Sequence, residues 1–409
     1  MKPSNQIPYL TATFPLLLLT SILLAQQPAA LSDVVSGNNA FAFDLYAKLK
    51  SAKGNIFFSP YSISTALAMT YAGARGNTEK QMMQALHFGK NEKSFHEGFG
   101  ALQARINDVQ KKGDVKLSVA NSLWMQKDYR FLPEFLDMTS QNYEAGFNYV
   151  DYRNEPEKAR VEINKWVEGK TNDKITNLIQ PGVLNDSTKM VLADAIYFKG
   201  AWANKFLKPF TTNMPFWFSS KDSVIVKMMI RGPNEFDYFE NDSIKCISLP
   251  YTGNSTSMVI ILPMTRNGFK SMEGKTSAGE VSNMISRMKE SSVKMYLPKF
   301  RTTKDFMLNK ELYSMGLRDA FVKGNADFSA MTGNKELNIS AVIHKAFVDV
   351  DEEGTEAAAA TAGALGGGGA PPPPKKHFTF RADHPFLFLI RDNTTGIILF
   401  MGRILNPVE

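Results

Sequence analysis

The sequence is poor in the residues that most often give a chain its chemistry. One cysteine, Cys246, stands among 409 residues, which excludes a disulfide within the chain and any cysteine-based zinc site. The five histidines (His87, His96, His344, His377 and His384) show no ligand spacing, so no metal is expected. There is no Gly-x-Ser-x-Gly elbow, no Gly-Lys-Ser/Thr phosphate loop and no His-Glu-x-x-His. The glycines of 363–369 follow an alanine run and precede prolines, whereas a dinucleotide loop must open a helix. No cofactor is therefore expected, and the chain does not read as an enzyme. The formal charge is +7, but the Lys and Arg residues are scattered. A nucleic-acid surface would need a basic face interleaved with aromatics; nucleic acid and membrane are both excluded as partners on this reading.

What is present is an ordinary globular composition, 44% hydrophobic and 21% charged, in a chain long enough for a large core. Lys2 followed by the apolar run Phe14 to Leu24 and the small Ala25 reads as a secretory leader. That run is shorter than the ~20 residues a membrane span needs. The expectation is a leader over 1–25, an exported mature chain over 26–409, and an extracellular location. Asn185, Asn241, Asn254, Asn338 and Asn393 each open an Asn-x-Ser/Thr acceptor for glycosylation in a eukaryotic secretory route.

The first half patterns as helices. Phe41, Leu45 and Leu49 form one stripe, with Ser32 or Asp33 as the expected cap and Gly54 past the end. A second helix opens at Ser59-Pro60 and runs to Met83, broken between Gly73 and Asn77; further helices are expected over 95–109, 131–143 and 157–170. The second half patterns as strands: 258–262, 293–300, and a hairpin of 386–390 and 397–401 around Asp392 to Gly396. Cys246 sits in an alternating run and reads as a half-buried strand residue. Helices and strands mixed along one chain, with no linker, predict a single α+β domain. Ala357 to Pro374 stands apart as an Ala-, Gly- and then Pro-rich segment between strands. Such a segment cannot order itself by burial, and a long loop inside a compact domain is usually functional.

Five separated motifs resemble the serpin family. They are Asn55 to Ser64, Asp194 to Trp202, His344-Lys345-Ala346 with Asp351 to Thr355, Asp383 to Phe388, and Phe400 to Arg403. In that order they cover nearly all of the chain from residue 33. The resemblance implies three β-sheets surrounded by eight or nine helices and an exposed reactive-centre loop at about 352–376. It also implies a metastable monomer acting as a suicide substrate. A serine protease cuts the loop and forms an acyl-enzyme. The loop then enters the central sheet as a strand, and deacylation stalls as the oxyanion hole distorts.

On the same resemblance the hinge is Glu352, Glu353, Gly354, Thr355, Glu356, Ala357, Ala358, Ala359, Ala360 and Thr361. Strand alternation places Thr355, Ala357, Ala359 and Thr361 on one face, where small side chains avoid overpacking. Gly354 supplies the bend. Trp202 is expected at the top of the sheet, and Ser59, Ser62, Asp194 and His344 in the region beneath it that must open. The family usually has Asn where this chain has Asp194. An ionised Asp194 beside His344 is expected to favour a charged imidazole and a pH-sensitive sheet. A Ser62–His344–Asp194 hydrolase triad is the disfavoured alternative. Counting from Gly354 puts the reactive bond at Gly368-Gly369, which points to an extracellular elastase-like or subtilisin-like protease, caught covalently. The competing function is a non-inhibitory serpin acting as carrier, chaperone or storage protein; the small hinge residues argue against it.

Overall fold

The computed structural model describes residues 29–89, 91–113, 115–143, 146–355 and 377–409. The expected leader (1–25), the distal hinge from Glu356 to Thr361 and the expected reactive bond Gly368-Gly369 lie outside the described residues. The first part of the chain runs α1 (Ala29–Leu49), β1 (Ile56–Phe58), α2 (Pro60–Tyr71), α3 (Gly76–Ala85), α4 (Glu92–Lys111), β2 (Val115–Gln126), α5 (Pro133–Tyr143), β3 (Gly146–Val150), α6 (Pro156–Lys170) and β4 (Met190–Ala201). Strands then dominate: β5 (Thr212–Trp217), β6 (Ser223–Glu240), β7 (Ile244–Pro250), β8 (Thr256–Pro263), α7 (Phe269–Lys275), α8 (Ala278–Ser286), β9 (Lys289–Pro298) and β10 (Phe300–Met307). The remainder is α9 (Asn309–Ser314), α10 (Ser329–Thr332), β11 (Ile339–Val350), β12 (Gly354–Thr355), β13 (Phe378–Arg381), β14 (Phe386–Asp392) and β15 (Ile398–Ile404).

The central sheet is ordered β10-β11-β12-β4-β2-β3. Its faces enter two separate cores. Leu192, Ile196 and Phe198 of β4 join the main core, which includes α2. Val191, Ala193, Ala195 and Tyr197 join a second core with Ile163 and Val167 of α6. Both faces being covered, β4 is apolar on both sides over most of its length, with Asp194 the buried exception. Helix α2 is apolar all round because it too is covered all round: every one of its residues is buried. Ser59 caps it, its side chain accepting from Ser62 N–H at 3.1 Å.

The larger sheet is one hydrogen-bonded set of nine strands, where the sequence pointed to two further sheets. The long β6 makes them continuous. Its first residues pair β5, its last pair β7, and its ladder with β9 is interrupted between Arg231 and Asn234. The surplus over eight or nine helices comes from pieces as short as α9 and α10, of six and four residues. Two local expectations are corrected. Helix α1 already runs through Ser32 and Asp33, so neither is its cap. Cys246 is fully buried rather than half-buried, and burial pushes its thiol far above the usual range, which leaves it protonated and unreactive.

Candidate functional site

The site is a slot between β4 and β11, with a mouth at one end and a buried polar cluster partway down. Between Met190 and Tyr197 the two strands pair directly and in parallel, Ile339 opposite Met190 and Phe347 opposite Tyr197. Above that they part, and β12 occupies the gap. Thr355 pairs Val350 on one side and Gly200 on the other, while Gly354 pairs Ala201. A Cβ on Gly354 would lie 2.1 Å from the Gly200 carbonyl oxygen, so only glycine fits where the chain turns into the gap.

The mouth is held by both backbone and side chains. Trp202 N–H donates to Glu353 C=O at 2.9 Å, and its indole N–H donates to Asp351 C=O at 2.9 Å. Phe206 N–H donates to Glu352 C=O at 3.0 Å. The Glu352 carboxylate accepts from Lys299 Nζ at 2.8 Å and Thr211 Oγ1 at 2.7 Å. Burial alone would raise this carboxyl, but Lys299, Thr211 and the backbone together outweigh it and hold the group below its ordinary value. Glu353 is held low mainly by Lys205, whose Nζ donates at 2.8 Å. Thr355 is fully buried, its hydroxyl 2.8 Å from the Tyr251 hydroxyl. Tyr251 stacks on Trp202 with centroids 4.7 Å apart, and burial keeps its phenol protonated. Sequence reasoning reached Glu352, Glu353, Gly354, Thr355 and Trp202 but missed Tyr251, Lys299, Thr211 and Lys205. No local signal marks them, because each meets the hinge only through the fold.

Below the mouth the structure brings Ser59, Ser62, Asp194 and His344 together, all of them buried. Ser62 Oγ donates to Asp194 Oδ1 at 2.6 Å, and Asp194 Oδ2 lies 3.0 Å from His344 Nδ1. Ser59 N–H donates to His344 Nε2 at 3.0 Å. Asn121 of β2 is a further member, its Oδ1 2.9 Å from Ser62 Oγ.

This arrangement corrects one expectation. A ring nitrogen that accepts from a backbone N–H carries no proton, so His344 is neutral and donates from Nδ1 to Asp194. The charged imidazole expected from Asp194 would set two N–H donors against each other at Ser59. The same order of contacts argues against a catalytic triad. Asp194 stands between Ser62 and His344, whereas a triad needs the imidazole between nucleophile and carboxylate. Among the described residues no three His, Cys, Asp or Glu side chains are grouped to hold a metal ion. No helix there is long and apolar enough to cross a membrane.

The whole is an α+β domain whose central sheet is closed along most of its length and parted at one end by a short strand. Residues 36–407 match the profile of the Serpin (serine protease inhibitor) family, and the chain belongs to that family. The leukocyte elastase inhibitor of Homo sapiens is 42% identical over 383 residues, covering 91% of this chain and 99% of that protein. Serpin48 of the insect Tenebrio molitor, 32% identical, superposes with a TM-score of 0.81 over 91% of this chain and 98% of its own. Human thyroxine-binding globulin complexed with its ligand, 30% identical, superposes with a TM-score of 0.83 over 93% of this chain and all of its own.

Proposed function

We propose that the mature chain, one domain over 26–409, is a secreted monomeric suicide inhibitor of an extracellular serine protease. The observation that carries this is the short strand β12 between β4 and β11. Continuing its register downward sets Ala357 opposite Phe198 and Val348, Ala359 opposite Ile196 and Ala346, and Thr361 opposite Asp194 and His344. Two alanines and then a hydroxyl meet the core face, so the rest of the loop can follow without overpacking. The same register brings Leu365 level with Met190 at the foot of β4. A cut at Gly368-Gly369 leaves enough chain to fill the slot, whereas a cut at Leu365 leaves none to spare.

The target class is read from the same stretch. Glycines around the expected reactive bond offer no side chain to a deep specificity pocket, which suits an elastase-like or subtilisin-like enzyme. The relative named as a leukocyte elastase inhibitor supports the former. Export rests on the N-terminal apolar run, which precedes the family match beginning at residue 36. The test is incubation with elastase-, subtilisin-, chymotrypsin- and trypsin-like proteases. A covalent complex that survives denaturant supports inhibition and identifies the class. Cleavage with no complex and no gain in thermal stability would leave the non-inhibitory carrier, chaperone or storage role in its place.

A further inference from the structure

Away from the slot, a cleft of about 460 Å³ lies between the first turns of α4 and one face of α5. Glu92, Lys93, His96 and Glu97 line it from α4, and Glu134 and Asp137 from α5, at spacings that set helix side chains in a row. The two helices close on each other at Gly100, where a Cβ would lie 3.1 Å from Asn142 Oδ1. His96 is 3% exposed, and its Nε2 is buried with no hydrogen-bond partner among the described residues. Its other ring nitrogen, Nδ1, lies 2.5 Å from the Tyr143 hydroxyl. Burial keeps that phenol protonated, and His96 is its one hydrogen-bond partner among the described residues. The hydroxyl therefore donates to Nδ1, and Nε2 carries the imidazole proton. Glu92 Oε1 stands 3.9 Å from Nε2 and 3.4 Å from Arg75. His96 and Arg75 hold that carboxyl below its ordinary value against its burial, yet 3.9 Å is too far for a hydrogen bond. The rest of the lining is acidic. Lys93 faces Glu97 at 3.9 Å, and no ion pair reaches Glu134 or Asp137 among the described residues.

We propose that this cleft binds a small hydroxylated amine of the amino-sugar class, with its ammonium against Glu134 and Asp137 and a hydroxyl between His96 and Glu92. The lining selects that chemistry by exclusion. An anion would face four carboxylates. A guanidinium or a plain alkylamine brings donors alone, and leaves the His96 N–H without an acceptor. A neutral sugar brings hydroxyls but no charge for the carboxylates. A hydroxyl, unlike a carbonyl, can accept from His96 Nε2–H and donate to Glu92 Oε1, and an oxygen at ordinary hydrogen-bond distance from both spans a gap of 3.9 Å. The buried N–H supplies specificity, because a site built around a polar group rejects ligands that leave it unpaired. The cleft shares no residue with the slot, and the proposal does not rest on the inhibitory reading.

The test titrates the full chain with three six-membered rings, followed by ligand-detected NMR at a pH where the amines are protonated. Glucosamine carries amine and hydroxyls, glucose the hydroxyls alone, and cyclohexylamine the amine alone. The expected result is a Kd of about 1 mM for glucosamine, with the other two at least about tenfold weaker. Glu134→Gln with Asp137→Asn, both at exposed positions, should weaken glucosamine about tenfold. His96→Phe should bring glucosamine down to the level of cyclohexylamine and leave cyclohexylamine unchanged. Glucose binding as well as glucosamine overturns the role of the carboxylates, and cyclohexylamine binding as well overturns that of His96. Glucosamine binding that is absent, or unchanged in the double variant, overturns the site itself. Should His96→Phe fail to fold, glucosamine against cyclohexylamine on the unaltered chain decides the same point.

Discussion

Replacing Thr355 by arginine tests the slot at its mouth. Thr355 is fully buried between Val350 and Gly200 and bonded to Tyr251 at 2.8 Å. An arginine there loses that bond, at about 1 kcal/mol. It overpacks a filled site, at ~1–3 kcal/mol, and strands a charge whose burial costs several kcal/mol more. A total of at least ~4 kcal/mol opposes the first step of insertion. If half reaches the transition state, insertion slows about 30-fold, since 1.4 kcal/mol is tenfold in rate. Deacylation then outruns insertion, and the protease releases cleaved chain in place of a trapped complex. The resting fold need only expel a two-residue strand, so its thermal transition should change little. Glu356→Arg is the control. On the proposed insertion, continuing the register from Thr355 would put residue 356 opposite Lys199 and Asp349, both only partly buried, where a charge costs under ~1 kcal/mol. The assay titrates a fixed amount of protease and resolves complex from cleaved chain on a denaturing gel. Thr355→Arg should raise the inhibitor consumed per enzyme trapped above about ten, with Glu356→Arg near wild type. Equal complex formation by Thr355→Arg and wild type would falsify the register and the mechanism built on it.

Three other outcomes are expected of the site. Glu352 and Glu353 are held below their ordinary values, so their anchoring is fully present above the unfolded carboxylate value of about 4.3 and is lost as pH falls through the lower folded values; hinge opening, monitored by Trp202 fluorescence, should begin only below about pH 4, and Glu352→Gln should be open at neutral pH. Asp194→Asn keeps an acceptor for His344 Nδ1–H and removes a buried charge, so the resting protein should melt higher at neutral pH; an unchanged or lower melting temperature would count against Asp194 as a buried carboxylate without a cationic partner. Mass spectrometry of chain cleaved by elastase should find a new N-terminus at Gly369; one at Gly366 would move the reactive bond to Leu365.

The parts of the fold visible in the sequence are those with a local cause. Ser59-Pro60 announces the start of α2 because a cap and a first-turn proline act within one turn. The hairpin of β14 and β15 is marked by Asp392 to Gly396, where Asp392 accepts from Thr395 N–H at 2.7 Å. The long strands β2 and β6 carry no such mark. In β2 the buried residues Leu123 to Gln126 run together at one end, which breaks a two-residue period. In β6 the period is broken where the strand changes partner. At the site, the five motifs located both ends of the slot, but the residues that hold the hinge are distant in sequence. Thr211 is 141 residues from Glu352, and Tyr251 is 104 from Thr355. Asn121 escapes the sequence for the same reason as its strand.

If the loop inserts as proposed, the mouth and the buried cluster become two stations on one track, and their chemistry would explain the order of the loop's residues. Down the core face, β4 and β11 present Gly200 with Val350, Phe198 with Val348, Ile196 with Ala346, and Asp194 with His344. The top station adds the Tyr251 hydroxyl, so the track reads polar, apolar, apolar, polar. Thr355, Ala357, Ala359 and Thr361 read hydroxyl, methyl, methyl, hydroxyl. Slipping the loop by two residues would set Thr361 against Ile196 and Gly363 against Asp194, leaving a buried carboxylate without a new donor as its strand parts from His344. A buried polar group left unpaired costs ~1–3 kcal/mol. On the proposed insertion, one hydroxyl at each end would fix the register, while the alanines between them would only have to be small. Asp194 sharpens that demand over an asparagine in its place, because an ionised carboxylate can accept from Thr361 but cannot donate to it.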